Sequence, residues 1–348
     1  MILVGLRDVG AVNVCLPVIE KLSDWRFPWY IYAEGVAYER LKDGFTFITT
    51  DPIDNVFDSL NPSLVVATCA TKGGDVPINL TEKAKRRNLP VVLVEDMWSA
   101  HSAFTWDILP DEVCVTDEFS KSLVLMSWPN YPEFHIHITG TPVFDKCIDV
   151  DTEAAKHKLR TTLNLNESWP IVFFPGTGLV SGMAEVIQML VIALNSLHIP
   201  VYLILRDHPS VPPSETLKYR EALGKLKIGR VIDSSKLNSN EVNAGSDIIV
   251  GTFSTMTVEA CYMRKPVLII WTPEISRVLM EATSTLSEWP ITNLGAAFKA
   301  KNVYEIMTCL GKIISGCTSE MIQAQQKHFL ADGLSANRIA KTIVSYYR

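Results

Sequence analysis

A set of polar residues in the C-terminal half of the chain follows two apolar runs that are typical of buried strands. The set consists of Arg206, His208, Thr252, Ser254 and Thr255. The last three open a predicted helix, whose free backbone N–H groups suit a phosphate, while the guanidinium and imidazole would add charge and a hydrogen bond. Taken singly, each hydroxyl would be a plain N-cap and the histidine a turn residue. Together, after neighbouring strands, they favour a phosphate-bearing ligand.

Two further features belong to the same half of the chain. Glu259 comes one helical turn after Thr255 and would bind ribose hydroxyls. The alternative is a solvated glutamate, although its apolar neighbours make an unpaired charge costly there. Gly176 and Thr177 belong to a Pro-Gly-Thr-Gly loop between a predicted strand and a helix. Such a loop lets the backbone approach a phosphate or donor sugar, or serves only as a turn; it is not a Walker A motif, because Gly-Lys-Ser/Thr is missing.

In the N-terminal half, acidic and basic residues follow two predicted strands. Glu95 and Asp96 end the run that begins at residue 91, and His101 follows five residues later. They could supply a general base that lines the ligand site, with the two carboxylates ranked above the histidine; the alternative is a helix cap or a loop salt bridge. The segment after the first predicted strand would hold an acceptor or part of the donor, through Arg7, Asp8 and Asn13.

Short β-branched runs separated by helical stretches indicate parallel sheets that are buried on both faces. This pattern runs through residues 1–150 and restarts after a charged helix predicted at 151–163. We therefore predict two consecutive doubly wound α/β domains, 1–150 and 151–330. Because ligands bind beyond the carboxyl ends of the strands in such sheets, the predicted site is a cleft between the two domains.

Length and composition limit the classes of function. The chain has 348 residues, more than one hydrophobic core usually serves, and a net charge of −6 without a basic run, so nothing indicates a nucleic-acid partner. Seven cysteines without a CxxC pair favour a reducing compartment over disulfides or structural zinc, and no cluster has metal-ligand spacing. No apolar run approaches the roughly 20 residues of a spanning helix, and no signal peptide is evident. We predict a cytoplasmic protein that could still contact a membrane surface peripherally.

Four segments resemble motifs of the GT-B glycosyltransferases and the UDP-N-acetylglucosamine 2-epimerase superfamily. Residues 140–145 resemble the TGxPxxD segment at the lobe junction, and residues 247–267 resemble the nucleotide-binding stretch DxxxxxxSxxxxEA…GKPV. Residues 206–209 resemble the RxHP motif of sialyltransferases and CDP-glycerol glycerophosphotransferases, and residues 332–338 resemble the closing DGxAsxRI helix. The similarity touches nearly the whole chain.

This resemblance implies a GT-B fold with two Rossmann-like domains and a last helix, within 331–348, that crosses back to the first domain. It implies no cofactor and no required metal, with a nucleotide-sugar donor as the substrate. It also implies that the phosphates and ribose of the nucleotide are contacted by His208, Thr252, Ser254, Thr255 and Glu259.

The resemblance to the 2-epimerases is incomplete in the first domain. Their Gly-Asp-Thr segment corresponds to residues 67–71, which carry no carboxylate, and their PEExNR segment is absent, with Asp107 as a nearby substitute; Glu95 matches the glutamate of their VEAG segment. Because epimerisation needs acid and base groups for elimination and re-addition, these losses favour a glycosyltransferase. The donor would be UDP-, CMP- or CDP-linked and the acceptor a glycan or a lipid-linked group. A 2-epimerase-like isomerase or hydrolase, and a non-catalytic nucleotide- or glycan-binding protein, are the alternatives.

Overall fold

The computed structural model describes residues 1–69, 74–178, 181–208, 211–234 and 237–347. The chain forms two compact units. Unit 1 comprises Met1–Lys146, Ala282–Thr285 and Asp332–Arg348, and unit 2 comprises Cys147–Glu281 and Leu286–Ala331. Two of the sequence comparisons reach outside the described residues: the end of the segment 67–71, and Pro209 of the RxHP-like motif.

Unit 1 is built on a seven-stranded parallel sheet with the order β3-β2-β1-β4-β5-β6-β7. Labels follow the chain. The strands are β1 (Ile2–Leu6), β2 (Trp29–Ala33), β3 (Ile48–Thr49), β4 (Leu64–Cys69), β5 (Val91–Glu95), β6 (Glu112–Val115) and β7 (Ile136–Ile138). The α-helices of this unit are α1 (Val9–Asp24), α2 (Gly35–Leu41), α3 (Ile53–Leu60), α4 (Val76–Arg86), α5 (Glu118–Ser127) and the final α15 (Ser335–Ser345). Short 3-10 turns are η1 (Ala100–Ala103), η2 (Glu133–His135) and η3 (Pro142–Cys147).

Unit 2 contains a six-stranded parallel sheet with the order β10-β9-β8-β11-β12-β13. Its strands are β8 (Ile171–Pro175), β9 (Val201–Arg206), β10 (Gly229–Asp233), β11 (Ile248–Gly251), β12 (Val267–Ile270) and β13 (Phe298–Ala300). The helices between residues 147 and 331 are α6 (Thr152–Leu163), α7 (Met183–Leu197), α8 (Pro213–Leu223), α9 (Ser239–Gly245), α10 (Thr255–Tyr262), α11 (Pro273–Thr283), α12 (Pro290–Asn293), α13 (Val303–Ile314) and α14 (Ser319–His328). The predicted α/β class with two doubly wound parallel sheets is confirmed.

The central strands are continuous apolar runs because helices cover both faces of each sheet. In unit 1, strands β1, β4 and β5 are buried along their whole length. One face packs against α1 and α15, and the other face packs against α4 and the turn η1. Polar side chains are therefore confined to the ends of these strands, where the candidate site residues lie.

The last helix packs against α1 within unit 1, and the two helices share one core cluster. The Asp145 carboxylate accepts hydrogen bonds from the backbone N–H groups of Ser335 at 3.2 Å and Ala336 at 3.1 Å, which caps this helix. Arg338 donates to the Thr139 carbonyl at 2.8 Å and pairs with Asp332. Two segments that resemble family motifs thus contact each other and fix the helix.

Several element boundaries differ from the sequence predictions. The sequence pattern predicts a first helix over residues 13–22. The helix α1 begins four residues earlier, at Val9, because Asp8 accepts a hydrogen bond from the Ala11 N–H at 2.9 Å and caps it. The sequence pattern also predicts a helix over residues 81–88 and a strand over residues 135–139. The helix α4 begins at Val76, and β7 begins only at Ile136 because η2 precedes it.

Candidate functional site

The strand order brings the predicted ligand-binding residues of unit 2 to one edge of its sheet. The chain runs outward from β8 through β9 to β10, then returns to the other side of β8 for β11. The order therefore reverses between β8 and β11, which is the position where doubly wound sheets bind ligands. The predicted residues lie at the ends of three adjacent strands at this reversal. They are Gly176 and Thr177 after β8, Arg206 at the end of β9 with His208 after it, and Thr252, Ser254 and Thr255 after β11.

Gly176 lies where the ends of β8 and β9 approach each other closely. Its N–H donates to the Arg206 carbonyl at 2.8 Å. A Cβ on this residue would lie 2.7 Å from that carbonyl oxygen and 3.2 Å from the His208 backbone nitrogen. Because a side chain at this distance would displace backbone, glycine is what lets the β9 end approach β8. Thr177 follows and is buried.

Arg206 and His208 have different surroundings at the end of β9. Arg206 Nη1 donates to the carbonyls of Ser234 at 2.7 Å and Leu237 at 2.6 Å, so the guanidinium fixes the loop after β10. His208 is exposed. The residue between them, Asp207, was missed by the sequence analysis. Its Oδ1 is buried without a hydrogen-bond partner among the described residues, and burial raises the pKa of its carboxyl group.

A small pocket brings these residues together. Its lining combines apolar side chains from α7 and α8 with the polar ends of two strands, namely Gly176, Thr177, Arg206, Asp207 and His208. An unpaired buried carboxyl oxygen is costly unless a partner arrives, so the pocket has capacity for a hydrogen-bond donor. The sequence signal that could have identified Asp207 is its position directly after a buried strand.

The start of α10 contains the remaining predicted residues of unit 2. Ser254 caps the helix and accepts from the Met256 N–H at 3.4 Å, so the capping interpretation holds for this residue. Thr255 is exposed, whereas Thr252 is fully buried with its hydroxyl 3.9 Å from the Met183 sulfur. Glu259 is buried at 6% exposure, so the alternative of a solvated glutamate is wrong.

In the sheet of unit 1, the strand order reverses between β1 and β4, as it does between β8 and β11 in unit 2. Arg7 directly follows β1 at this reversal. Its Nη1 donates to Glu34 at 3.0 Å, and the Tyr32 hydroxyl donates to the same carboxylate. Gly74 lies against the guanidinium, since a Cβ there would be 2.4 Å from Nη1. Asn13 lies on the exposed side of α1, away from these contacts.

Asp96 lies beside Asp8 at the start of α1. A Cβ on Gly10 would be 2.3 Å from Asp96 Oδ2 and 3.3 Å from Asp8 Oδ1. Both carboxyl groups therefore lie next to Gly10 and close to each other. Burial raises the pKa of Asp96 well above its usual value, and the negative charges of Asp8 and Glu95 add to this. Burial raises the pKa of Asp8 as well, but backbone N–H groups and Arg7 oppose it. Asp96 therefore has the more strongly raised pKa of the two and binds a proton more readily than Asp8.

Glu95 and His101 form a separate, buried pair. Glu95 Oε1 accepts from the His101 backbone N–H at 2.8 Å and contacts its Nδ1 at 2.6 Å. Both side chains have 0% exposure. The Trp128 ring packs on the imidazole in an edge-type arrangement, with the ring centroids 5.0 Å apart.

The structure does not bring Glu95, Asp96 and His101 into the single grouping that the sequence analysis expected. Successive side chains leave a strand on opposite faces. Glu95 follows Leu93 into the core that contains η1, whereas Asp96 follows Val94 towards α1. The Glu95–His101 pair is closed to solvent, and the Asp8–Asp96 pair forms a second site at the same edge of the sheet.

His135 and His137 are paired with a buried carboxylate. His135 Nδ1 and His137 Nε2 each lie 2.5 Å from a Glu112 oxygen, and the Tyr346 hydroxyl donates to the same group. Within the described ranges, no group of three or more His, Cys, Asp or Glu side chains could hold a metal ion. No helix in the described part of the chain has the length and apolar character to span a membrane.

No protein-family model matches the sequence, and no curated protein matches it. Several solved structures, in contrast, match the fold of this chain. A putative UDP-N-acetylglucosamine 2-epimerase from Listeria monocytogenes is 14% identical, with 100% of this chain and 96% of that chain covered and a TM-score of 0.72. The UDP-GlcNAc 2-epimerase from Neisseria meningitidis, bound to UDP-GlcNAc, is 13% identical with 99% of both chains covered and a TM-score of 0.68.

A glycosyltransferase from Rickettsia africae is 14% identical, with 99% of this chain and 97% of that chain covered and a TM-score of 0.65. At such identities the likeness concerns the fold and extends over the full length of each chain. The chain therefore has the GT-B type of fold that UDP-GlcNAc 2-epimerases and glycosyltransferases share.

Proposed function

We propose that this protein is a glycosyltransferase that moves a sugar from a nucleotide-activated donor to an acceptor hydroxyl. The observation that carries the proposal is the convergence of Thr177, Arg206, Asp207 and His208 on one pocket at the strand-order reversal of unit 2. The fold supports it, since solved structures with this fold include a glycosyltransferase and an epimerase bound to UDP-GlcNAc.

The donor phosphates would lie between His208 and the start of α10. The exposed imidazole can donate a hydrogen bond, and the first N–H groups of the helix add a favourable dipole. Glu259, buried one turn along the same helix, would accept from the ribose hydroxyls. With these groups on the leaving phosphate, we expect transfer without added metal. Arg206 would act mainly by holding the neighbouring loop, since its Nη1 already donates to two carbonyls.

The acid–base work would fall to unit 1. Asp8, as a carboxylate, would accept the proton of the acceptor hydroxyl, while Asp96 would hold its own proton as the neutral partner. When two carboxyl groups lie close together, one of them tends to keep its proton, because two adjacent negative charges repel each other.

The same pair favours a second candidate, a 2-epimerase-like isomerase acting on a UDP-sugar. Such a reaction removes a proton and returns one, and the Asp8–Asp96 pair would supply one group for each step, because the pKa of Asp96 is raised more strongly than that of Asp8. Residues 67–69 at the end of β4 carry no carboxylate of their own. The Asp8–Asp96 pair would supply carboxyl groups beside this strand end, because Asp96 directly follows the neighbouring strand β5.

One screen separates these candidates. Thermal shifts are measured with UDP, CMP, CDP, GDP and their sugars, because a ligand that binds the folded state at about 100 times its Kd stabilises it by about 2.7 kcal/mol. Nucleotide release that requires an added acceptor supports the transferase, and conversion of a UDP-sugar alone supports the isomerase. Binding without turnover leaves a nucleotide- or glycan-binding protein.

His208→Ala tests the placement of the phosphate. We expect nucleotide affinity to fall by about 1–3 kcal/mol, because a charge-assisted hydrogen bond is lost. Folding should be unchanged, since His208 is exposed. The matched control is His157→Ala, which removes an exposed imidazole from α6, away from the strand ends. Equal affinity in the two variants would show that the phosphate binds elsewhere.

A further inference from the structure

The buried Glu95–His101 pair has hydrogen-bonding capacity that no described residue uses. Glu95 Oε2 and His101 Nε2 are both buried without a partner. Because a carboxylate only accepts, its contact with Nδ1 makes that nitrogen the donor, and in a neutral imidazole Nε2 is then the acceptor. A carboxylate that orients an imidazole in this way is how many proteins prepare a general base. With 0% exposure, Nε2 is closed to any substrate as the structure stands.

A cluster of hydroxyl groups holds the turn that carries His101. Ser99 directly precedes η1 and Ser102 lies within it, and their Oγ atoms are 2.5 Å apart. The Ser99 hydroxyl also bonds the Thr285 hydroxyl, and Ser102 Oγ donates to the Thr283 carbonyl at 2.6 Å. These partners belong to the four-residue segment Ala282–Thr285, which is part of unit 1 although the chain on both sides of it is assigned to unit 2.

Both sides of this contact have unusual backbone. Ser99 has φ 66° and Ser284 has φ 62°, in the left-handed region that few non-glycine residues adopt. Such conformations persist only where the surroundings hold them. The turn itself is a four-residue 3-10 helix with weaker hydrogen-bond geometry than an α-helix. Apart from the hydroxyl cluster, the indole of Trp106 donates to the His101 carbonyl at 2.9 Å.

We propose that Ala282–Thr285 is a releasable latch on η1, and that its release uncovers His101 Nε2 as a proton acceptor. Once open, Nε2 would take the proton of a substrate hydroxyl: the O–H bond breaks, an N–H bond forms, and the oxygen keeps the electron pair. The latch is independent of the proposed function, whereas the use of His101 as a second base, beside the Asp8 carboxylate, rests on it. Glu95 is then a positioning residue that fixes the imidazole.

The latch is tested through the chemical reactivity of His101. Diethyl pyrocarbonate modifies accessible imidazole nitrogens, and peptide mass mapping gives a rate for each histidine. In the unmodified protein, His101 should resist while the part-exposed His137 reacts. Thr285→Val removes one latch hydroxyl and should accelerate His101 modification about fivefold, the factor equivalent to a hydrogen bond of about 1 kcal/mol. Thr285→Ser keeps the hydroxyl and should preserve the protection.

Thr308→Val is the matched control, because it removes an exposed hydroxyl that bonds only its own helix, at the Tyr304 carbonyl. Amide exchange should increase in residues 95–103 and 282–285 of Thr285→Val and stay unchanged in the rest of unit 1. Equal His101 rates in Thr285→Val and Thr308→Val would overturn the latch. So would an unmodified protein in which His101 reacts as fast as His137, or exchange that rises throughout unit 1. If the latch behaves as expected but no donor is turned over, the proposed function fails and the latch stands.

Discussion

The close approach at Gly176 predicts that one added methyl group disturbs both stability and binding. In Gly176→Ala the new Cβ would lie 2.7 Å from the Arg206 carbonyl oxygen, a backbone atom that cannot rotate away. The β9 end must then move, and overpacking of this kind costs about 1–3 kcal/mol. The movement also shifts His208, so we expect nucleotide affinity to fall about ten- to a hundredfold, the loss of one charge-assisted hydrogen bond.

Urea unfolding and nucleotide-dependent thermal shifts measure these two effects. The control is Gly311→Ala in α13, where an added Cβ meets nothing within 4 Å. Because alanine is the better helix former, this variant should be stabilised by about 0.5–1 kcal/mol with unchanged nucleotide binding. A Gly176→Ala protein with the urea midpoint and nucleotide affinity of the unmodified chain would refute the argument that glycine is required for the β8–β9 contact.

Substitutions at Asp96, Arg206 and Ser254 address the other contacts. The folded-state pKa of Asp96 is raised, so its stabilising contribution is full below about pH 4 and is lost as the pH rises through the folded-state value. Asp96→Asn should therefore raise the Tm at pH 8 and leave it unchanged at pH 4; a lower Tm at pH 8 would contradict this. Arg206→Ala should lower stability by about 1.5–3 kcal/mol in urea, unlike His208→Ala, because a charged donor to two carbonyls is lost. Ser254→Ala should cost about 0.5 kcal/mol, the low end for an N-cap because its hydrogen bond is long at 3.4 Å, and an unchanged urea midpoint would mean that this cap contributes nothing.

The sequence predicted the edge of the unit 2 sheet well for a physical reason. The apolar runs that form β8, β9 and β11 are fully buried, or nearly so, and therefore easy to recognise, and the residues after them must lie at one edge once the strands are parallel. The three-residue strand β13 was missed, because a Phe-Lys-Ala segment is too short to show a pattern.

The candidate base in unit 1 was harder to predict, because it depends on packing rather than on spacing. Adjacent residues at the end of β5 diverge to opposite faces, and this alternation was available from the sequence. Nothing in the sequence indicated that Glu95 would be covered by a turn, or that Ser99 would meet Thr285, 186 residues away. Such contacts are decided by tertiary structure alone.

The segments that resemble family motifs owe much of their pattern to structural roles. Asp145 caps the last helix, and Arg338 ties that helix to a strand end. Asp247 accepts from the Ile171 N–H at 2.8 Å and from Arg160 at 2.9 Å, which fixes the start of β8. Since these residues hold the framework, they can be retained while the chemistry at the strand ends changes. The proton transfer should therefore be sought in residues outside those motifs, above all in the Asp8–Asp96 pair, whose pKa values are raised by burial.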